Sequence, residues 1–574
     1  AAIARVVDLP SDEIDPILRP SEHAHFQANA ALSLAKRVGR PPRQVAQEIV
    51  TALGTLPTPL IESVEIAGPG FINIHAPSAA LVTQLAHRLD DPERLGIGLH
   101  ANSPITVIDY SQPNIAKEMH VGHLRSTVIG DSLVRVLEFL GVPTIRQNHI
   151  GDWGTAFGML IEYMFQNPGF LDQAIDGDQA MSNLNRLYKA SRAKFDAEPA
   201  FADLARLRVV ALQAGDEQTV AAWHQIVDES LRYFTHVYDL LDVRLTGDDV
   251  IGESFYNPWL AEVVQDLLDR GVAVVDDGAA CIFFDDIKGQ DGEPTPLIIR
   301  KNDGGYGYGT TDLAAIRYRV RTLGAKRVIY VVDTRQSLHF KMVFDAARRA
   351  GYLTDDVEVV HVNFGAVLGE DNKPLKSRAG DVLRLSQLLE ESVQHARTTL
   401  QGRDEQLDES TLDARAREIG IGAVKYADLS NNRIKDYVLD FDRMLALQGN
   451  TSVYLQYANA RINSVITKSA YQRDVTTKAV DVHAALAPEE VRLLLALDAF
   501  EYTVNQVADE LEPHRLATYL FDVAQLFTSF YEACPILKAD TPETMALRLS
   551  IADLTRLTLA RGLDLLGIRA PERL

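Results

Sequence analysis

The run from residue 105 to residue 150 constrains this chain more than any other. Ile105 to Tyr110 is apolar and β-branched, as a buried strand requires. Leu124, Val128, Leu133, Val136, Leu137 and Leu140 then recur at helical spacing until Gly141-Val142-Pro143 stops them. Thr144 to Ile150 reads as a second strand. Strand, helix and strand in this order predict a βαβ unit whose ligand loop lies at the carboxyl end of the first strand. That loop runs from Asn114 to Thr127 and carries His120 and His123 around Gly122. A helix N-terminus there would offer free N–H groups and a positive dipole end to phosphate. Gly122 leaves room for a flat base against the backbone. Both histidines can donate hydrogen bonds to phosphoryl oxygens, so the segment reads as a nucleotide site that stabilises charge on a triphosphate. The blander alternative is a helix-capping histidine pair, or half a metal site without a third ligand.

At 574 residues the chain exceeds one core, and the expected architecture has three parts. Residues 1–100 read as an α+β module: Leu32 to Val38 and Val45 to Leu53 look helical, and residues 64–74 look like two strands around Gly68-Pro69-Gly70. Residues 101–410 read as a Rossmann-like, doubly wound parallel-sheet domain, α/β in class. Its further strands are expected at 327–332 and 357–363, with helices near 312–323 and 337–350. A helical insertion is expected near 160–245 and a smaller β-rich one near 270–300. Residues 411–574 read as an all-α bundle with amphipathic helices through Leu493–Leu511 and Leu516–Phe530.

No run of eighteen uncharged apolar residues occurs, so no membrane span is expected. Cys281 and Cys534 are too few for a disulfide framework or a four-ligand zinc site, which points to a cytoplasmic protein without structural zinc. The net charge of −22 argues weakly against a nucleic-acid partner, although local basic patches operate on acidic proteins.

Two further segments carry chemistry. Lys373, Lys376 and Arg378 place three cations within six residues between Gly369 and Gly380. A cationic loop after a sheet strand suits a leaving pyrophosphate, whose charge grows in the transition state; the same composition also describes a solvated surface loop. Tyr308 and Asp312 open a helix after a glycine-rich turn, and Glu253 is another acid in loop context. Two acids converging on one pocket would suit a guanidinium. Taken singly, each is as readily an ordinary surface or capping carboxylate.

These residues resemble a known family. Nearly the whole chain, from His25-Phe26-Gln27-Ala28-Asn29 to Ala570-Pro571-Glu572-Arg573-Leu574, is similar to bacterial-type arginyl-tRNA synthetases. His120-Val121-Gly122-His123 resembles the HIGH signature of class I aminoacyl-tRNA synthetases, and Lys373-Pro374-Leu375-Lys376-Ser377 resembles KMSKS. Gln147 to Thr155 is similar to a segment peculiar to the arginine enzymes, with Ala156 where the family usually has glutamine. Gln112 stands where a small residue is usual; neither departure touches a role carried over.

The resemblance implies ATP-dependent ligation of L-arginine to the 3′ end of tRNA(Arg) through an arginyl-adenylate, with magnesium accompanying ATP. It assigns His120, His123, Lys376, Lys373 and Lys117 to catalysis, and Gly122 and Ser377 to the ATP site alongside the signature histidines and lysines. Asn114 and His123 would lie near the amino acid's α-group, with Glu253, Tyr308, Asp312 and Gln336 around its side chain. Phe26, Gln27 and Asn29 would contact the tRNA elbow, and Tyr454, Tyr457 and Arg461 the anticodon. Family members are mostly monomers. The competing readings are a class I relative with another amino acid or acceptor, and a non-catalytic tRNA-binding paralogue; the latter predicts decayed signatures, which this chain does not have.

Overall fold

The computed structural model describes residues 1–7, 14–21, 23–170, 178–288, 295–369, 371–373, 375, 383–401, 408–469 and 471–573. Four strands, β1 (Leu18–Pro20), β2 (Phe26–Ala28), β3 (Ser63–Ala67) and β4 (Phe71–His75), make an antiparallel sheet in the order β1-β2-β4-β3. β3 and β4 are the expected hairpin. Its turn places Gly70 at φ 148°, where an added Cβ would lie 2.9 Å from the Pro42 backbone. Helices Ala30–Val38 and Pro42–Leu53 cover this sheet through Ala31, Val45, Ala46 and Ile49.

The βαβ unit is present as β5 (Thr106–Asp109), helix Val121–Phe139 and β6 (Thr144–Gln147). The β-rich insertion is a three-stranded antiparallel sheet of β7 (Val274–Asp276), β8 (Ala279–Ile282) and β9 (Leu297–Arg300). With β10 (Arg327–Asp333) and β11 (Glu358–Phe364), β5 and β6 form one parallel sheet ordered β11-β10-β5-β6. Both faces are covered. Val107, Val328 and Tyr330 enter one apolar cluster, while Ile108, Ile329 and Val331 enter another. Period-two strands buried on both sides explain why these runs are continuously apolar rather than alternating.

From β5 the chain crosses to β6 on one side, whereas β10 leads to β11 on the other. The crevice at the carboxyl ends of β5 and β10 is therefore the topological switch point, where open α/β sheets take their ligands. Beneath it Arg319 is fully buried. It donates to Asp109 Oδ2 and Gln147 Oε1, each at 2.6 Å, and lies 4.9 Å from the Tyr330 ring. One guanidinium thus joins β5, β6 and β10, and its two acceptors offset the cost of burying the charge.

The inserted helices are Thr155–Gln166, Asp178–Ala197, Pro199–Gln213 and Glu217–Leu241. Beyond residue 410 the structure is mostly helical, with two departures from expectation. β12 (Val367–Leu368) pairs in parallel with β13 (Tyr437–Val438), so a strand sits in the region read as nearly all helix. A second departure concerns the helix expected through Leu493–Leu511, which is two helices, Pro488–Asp498 and Phe500–Glu510. The break falls where Arg88 donates to the Asp498 carbonyl at 3.0 Å and to its carboxylate at 2.8 Å. A distant cation occupies the groups that would continue the ladder, and apolar spacing alone carries no trace of it. Among the described residues, no helix is long and apolar enough to cross a membrane.

Candidate active site

The loop after β5 is strained and heavily braced. Ser111, Gln112 and Ala116 have φ of 74°, 53° and 59°, a left-handed region costing roughly 1–2 kcal/mol each for residues with a Cβ. Each of their N–H groups is held by a side-chain oxygen: Ser126 Oγ at 2.9 Å, Asn148 Oδ1 at 3.0 Å and Ser230 Oγ at 3.1 Å respectively. Tyr238 completes the brace, its hydroxyl 2.8 Å from Ser111 Oγ and accepting from Asn148 Nδ2 at 2.9 Å. Ser230 and Tyr238 both belong to the inserted helix Glu217–Leu241. The insertion therefore holds the ligand loop in a conformation the loop would not adopt alone.

His120 is the N-cap of helix Val121–Phe139. Its Nδ1 accepts the Gly122 N–H at 3.0 Å, and His123 Nδ1 accepts the His120 N–H at 3.1 Å. The capping reading and the ligand reading thus hold together. With Nδ1 accepting, each neutral ring carries its proton on Nε2, which makes no hydrogen bond to the described residues. Burial lowers the His120 pKa, aided by Arg335 and Lys117. Burial, His120 and Lys117 push His123 down to about 3. Both rings are therefore uncharged N–H donors at neutral pH, suited to polarising phosphoryl oxygen rather than transferring a proton. A Cβ on Gly122 would meet the His120 ring at 2.6 Å, so this glycine makes room for the histidine itself.

Lys117 is exposed, its ammonium 5.1 Å from the ring of Tyr188 in the inserted helix Asp178–Ala197. Lys373 is exposed at a tight turn, where the Gly369 N–H donates to its carbonyl at 2.8 Å. Lys376, Ser377 and Arg378 lie outside the described residues. The chain beyond them is stitched to the first signature. The Val121 N–H donates to the Leu383 carbonyl at 3.2 Å, and the Leu385 N–H to the Met119 carbonyl at 2.9 Å. Leu383 and Leu385 therefore lie against the start of the histidine helix.

The other end of the crevice collects acids. Ile115 donates to the Gly151 carbonyl at 3.1 Å, Glu253 donates to the Ile150 carbonyl at 3.1 Å, and Asn114 pairs with Gly151 in a parallel bridge. Asp152, between them, accepts from the Ser254 N–H at 2.8 Å and the Ser254 hydroxyl at 2.6 Å. A Cβ on Gly252 would lie 2.2 Å from its carboxylate, so a glycine is required there. Burial, then Asp312, then Asp152 push Glu253 up to about 8. Burial also raises Asp152. Asp312 lies one turn into helix Tyr308–Arg321 and meets His339. The Tyr308 side chain is exposed beside it, and the exposed Gln336 precedes helix Ser337–Arg349. Burial and two neighbouring carboxylates thus disfavour a negative charge on Glu253, an electrostatic setting that a cationic ligand would relieve.

Comparison with known proteins decides the family. The description "tRNA synthetases class I (R), catalytic domain" matches residues 89–441, "Arginyl tRNA synthetase N terminal domain" matches residues 1–76, and "DALR anticodon binding domain" matches residues 455–574. An arginine–tRNA ligase of Frankia casuarinae is 54% identical over 577 residues, covering 100% of this chain and 97% of that protein.

The chain belongs to the arginyl-tRNA synthetase family.

A Streptomyces coelicolor arginine–tRNA ligase is 52% identical over 98% of this chain and 95% of its own. The arginyl-tRNA synthetase structure from Plasmodium falciparum superposes with a TM-score of 0.83 at 30% identity, covering 100% of this chain and 97% of its own. The Thermus thermophilus arginyl-tRNA synthetase structure shares the fold, with a TM-score of 0.82 at 24% identity, covering 100% of this chain and 99% of its own.

Within an arginyl-tRNA synthetase frame, the RNA-facing candidates differ in how free they are. Phe26 packs against the main core, Gln27 donates to Asn73 Oδ1 at 2.8 Å, and Asn29 precedes helix Ala30–Val38 with its Oδ1 buried and unpartnered. On helix Ser452–Lys468, Tyr454 leans on Phe521 with ring centroids 5.6 Å apart, so its ring serves packing. Tyr457 is exposed, and Arg461 is exposed with its guanidinium 4.6 Å from the Tyr531 ring. The sequence reading missed Asp152, Ser230, Tyr238, Arg319 and His339. Asp152 was visible inside the arginine-type segment and His339 three residues after Gln336; the others carried no local signal.

Proposed function

We propose that the chain activates arginine with ATP and transfers it to the 3′ end of tRNA(Arg), using the two ends of this crevice for two tasks. The arginine carboxylate attacks the α-phosphate; its oxygen–phosphorus bond forms as the bond to pyrophosphate breaks. A terminal ribose hydroxyl then attacks the arginyl carbonyl, and AMP leaves. No protein nucleophile enters either step, so rate comes from placement and electrostatics.

His120 and His123 donate Nε2–H to phosphoryl oxygens at the positive end of helix Val121–Phe139. Lys117, Lys373 and Lys376 neutralise the charge that gathers on the leaving pyrophosphate, with Gly122 and Ser377 beside the nucleotide. Asn114 meets the amino acid's α-group, and Glu253, Asp312, Tyr308 and Gln336 surround its guanidinium. Magnesium arrives with the triphosphate. The described residues hold no group of three or more His, Cys, Asp or Glu side chains fit for a metal, and magnesium is commonly carried by phosphates, water and one or two carboxylates. Tyr457 and Arg461 are the best-presented anticodon contacts.

The observation that carries this reading is the acid cluster of Glu253, Asp312 and Asp152, in which the segments of Asp152 and Glu253 are hydrogen-bonded to each other and to the histidine-bearing loop. The test is ATP–pyrophosphate exchange with each amino acid in turn, with and without tRNA(Arg). Exchange with arginine alone among the amino acids is expected, and it should depend on the tRNA. Preference for another amino acid would overturn the pocket assignment; no exchange with folded protein would favour a non-catalytic paralogue.

A further inference from the structure

Asp312 presents two carboxylate oxygens, and the fold already occupies one. His339 Nε2 lies 2.6 Å from Asp312 Oδ2, and because a carboxylate accepts, the imidazole donates. Both side chains are largely buried, at 13% and 17% exposure, so water competes little for this bond. The pair joins the second turn of helix Tyr308–Arg321 to the first turn of helix Ser337–Arg349, across the switch point. Two aromatic rings pack edge-on with the imidazole. The Tyr308 ring meets it at 5.3 Å and the Phe340 ring at 5.5 Å between centroids. Glu253 is different: its carboxylate has no hydrogen-bond partner among the described residues.

We infer that His339 is a positioning residue for substrate selection: it locks Asp312 so that only one oxygen faces the substrate, which leaves the two-bond, side-on contact with the guanidinium to Glu253. The inference rests on the reading that Glu253 and Asp312 hold the arginine side chain. A planar fork satisfies this unequal pair, with two parallel N–H groups on Glu253 and one on Asp312. An ammonium can reach the single fixed oxygen but has no parallel pair for Glu253. If Asp312 were free to turn, it could follow an ammonium and the distinction would weaken. His339 therefore acts on discrimination through Asp312, without touching the reacting atoms.

The experiment compares His339→Phe, His339→Gln and Asp312→Ala in the full-length protein with tRNA present, measuring arginine and ATP KM, kcat and exchange driven by lysine. His339→Phe should raise arginine KM about tenfold, leave ATP KM and kcat within about twofold, and lower the arginine-to-lysine preference. His339→Gln should restore both, because a glutamine Nε2–H can reach the place of the imidazole Nε2–H. The double variant His339→Phe/Asp312→Ala should be no worse for arginine than Asp312→Ala alone. If the phenylalanine variant does not fold, His339→Ala carries the same comparison. An unchanged arginine KM in His339→Phe, with a raised one in Asp312→Ala, overturns the role of His339 alone. An unchanged KM in Asp312→Ala overturns the underlying pocket reading instead.

Discussion

The two ends of the crevice are built on opposite principles. At the end proposed for phosphate, every strained peptide of the ligand loop has its N–H held, and both histidines are fixed through Nδ1 as neutral donors. At the end proposed for the amino acid, Asp312 and Asp152 lie near Glu253, whose carboxyl is driven up to about 8. One end is finished before substrate arrives; the other is completed by it. The difference suits the two jobs. A transition state is stabilised by groups that need not reorganise, whereas selection among amino acids is sharpest where an unmatched ligand leaves buried charge unpaired.

The largest test of this contrast is His120→Ala, which should lower kcat for exchange roughly a hundred- to a thousandfold while moving arginine KM less than about threefold. A comparable rise in arginine KM would mean that the ends are not separable. Next, Asp312→Ala should raise arginine KM about a hundredfold by leaving acid and guanidinium mismatched, with ATP KM nearly constant. Steady-state titration of each substrate reads both variants.

The third test is pH. A carboxyl whose pKa stands at about 8 in the free protein is mostly protonated at pH 7, and the guanidinium needs it ionised. Arginine KM should therefore fall about tenfold from pH 7 to pH 9, with a proton released on binding below pH 8. Glu253→Gln should remove this component, so the difference between the two profiles isolates Glu253; parallel profiles would show that its carboxyl does not titrate with binding. The smallest effect is expected from Tyr238→Phe. Removing a hydroxyl that serves Ser111 and Asn148 should cost about 1 kcal/mol of stability in a thermal melt and reduce kcat only a few-fold. A loss confined to arginine KM would place Tyr238 at the wrong end of the comparison.

Most of the parallel sheet was legible because strands buried on both faces leave continuous apolar runs, and the crossing helix between β5 and β6 announces its own start and stop. The histidine loop was legible for the same local reason. What stayed hidden was contributed from a distance. Ser230 and Tyr238 are unremarked polar residues on an amphipathic helix until that helix docks on the ligand loop. Arg319 looks like any basic residue near a helix end until three strands close around it. The break at Ala499 depends on Arg88, and no periodicity within the helix encodes it. Resemblance supplied the family's pocket residues, but not the engagement of Asp312 by His339, which only the spatial arrangement displays.

The chain's three tryptophans lie against two segments, those that carry Asp152 and Glu253. Trp223 donates its indole N–H to the Asp152 carbonyl at 2.8 Å and meets Trp153 edge-on at 6.0 Å, while Trp259 packs on Phe255, two residues after Glu253. Intrinsic fluorescence of this protein is therefore a local signal rather than an average over the fold. Tryptophan emission reports on the two segments carrying Asp152 and Glu253, so arginine binding at the proposed pocket should change it without an attached dye.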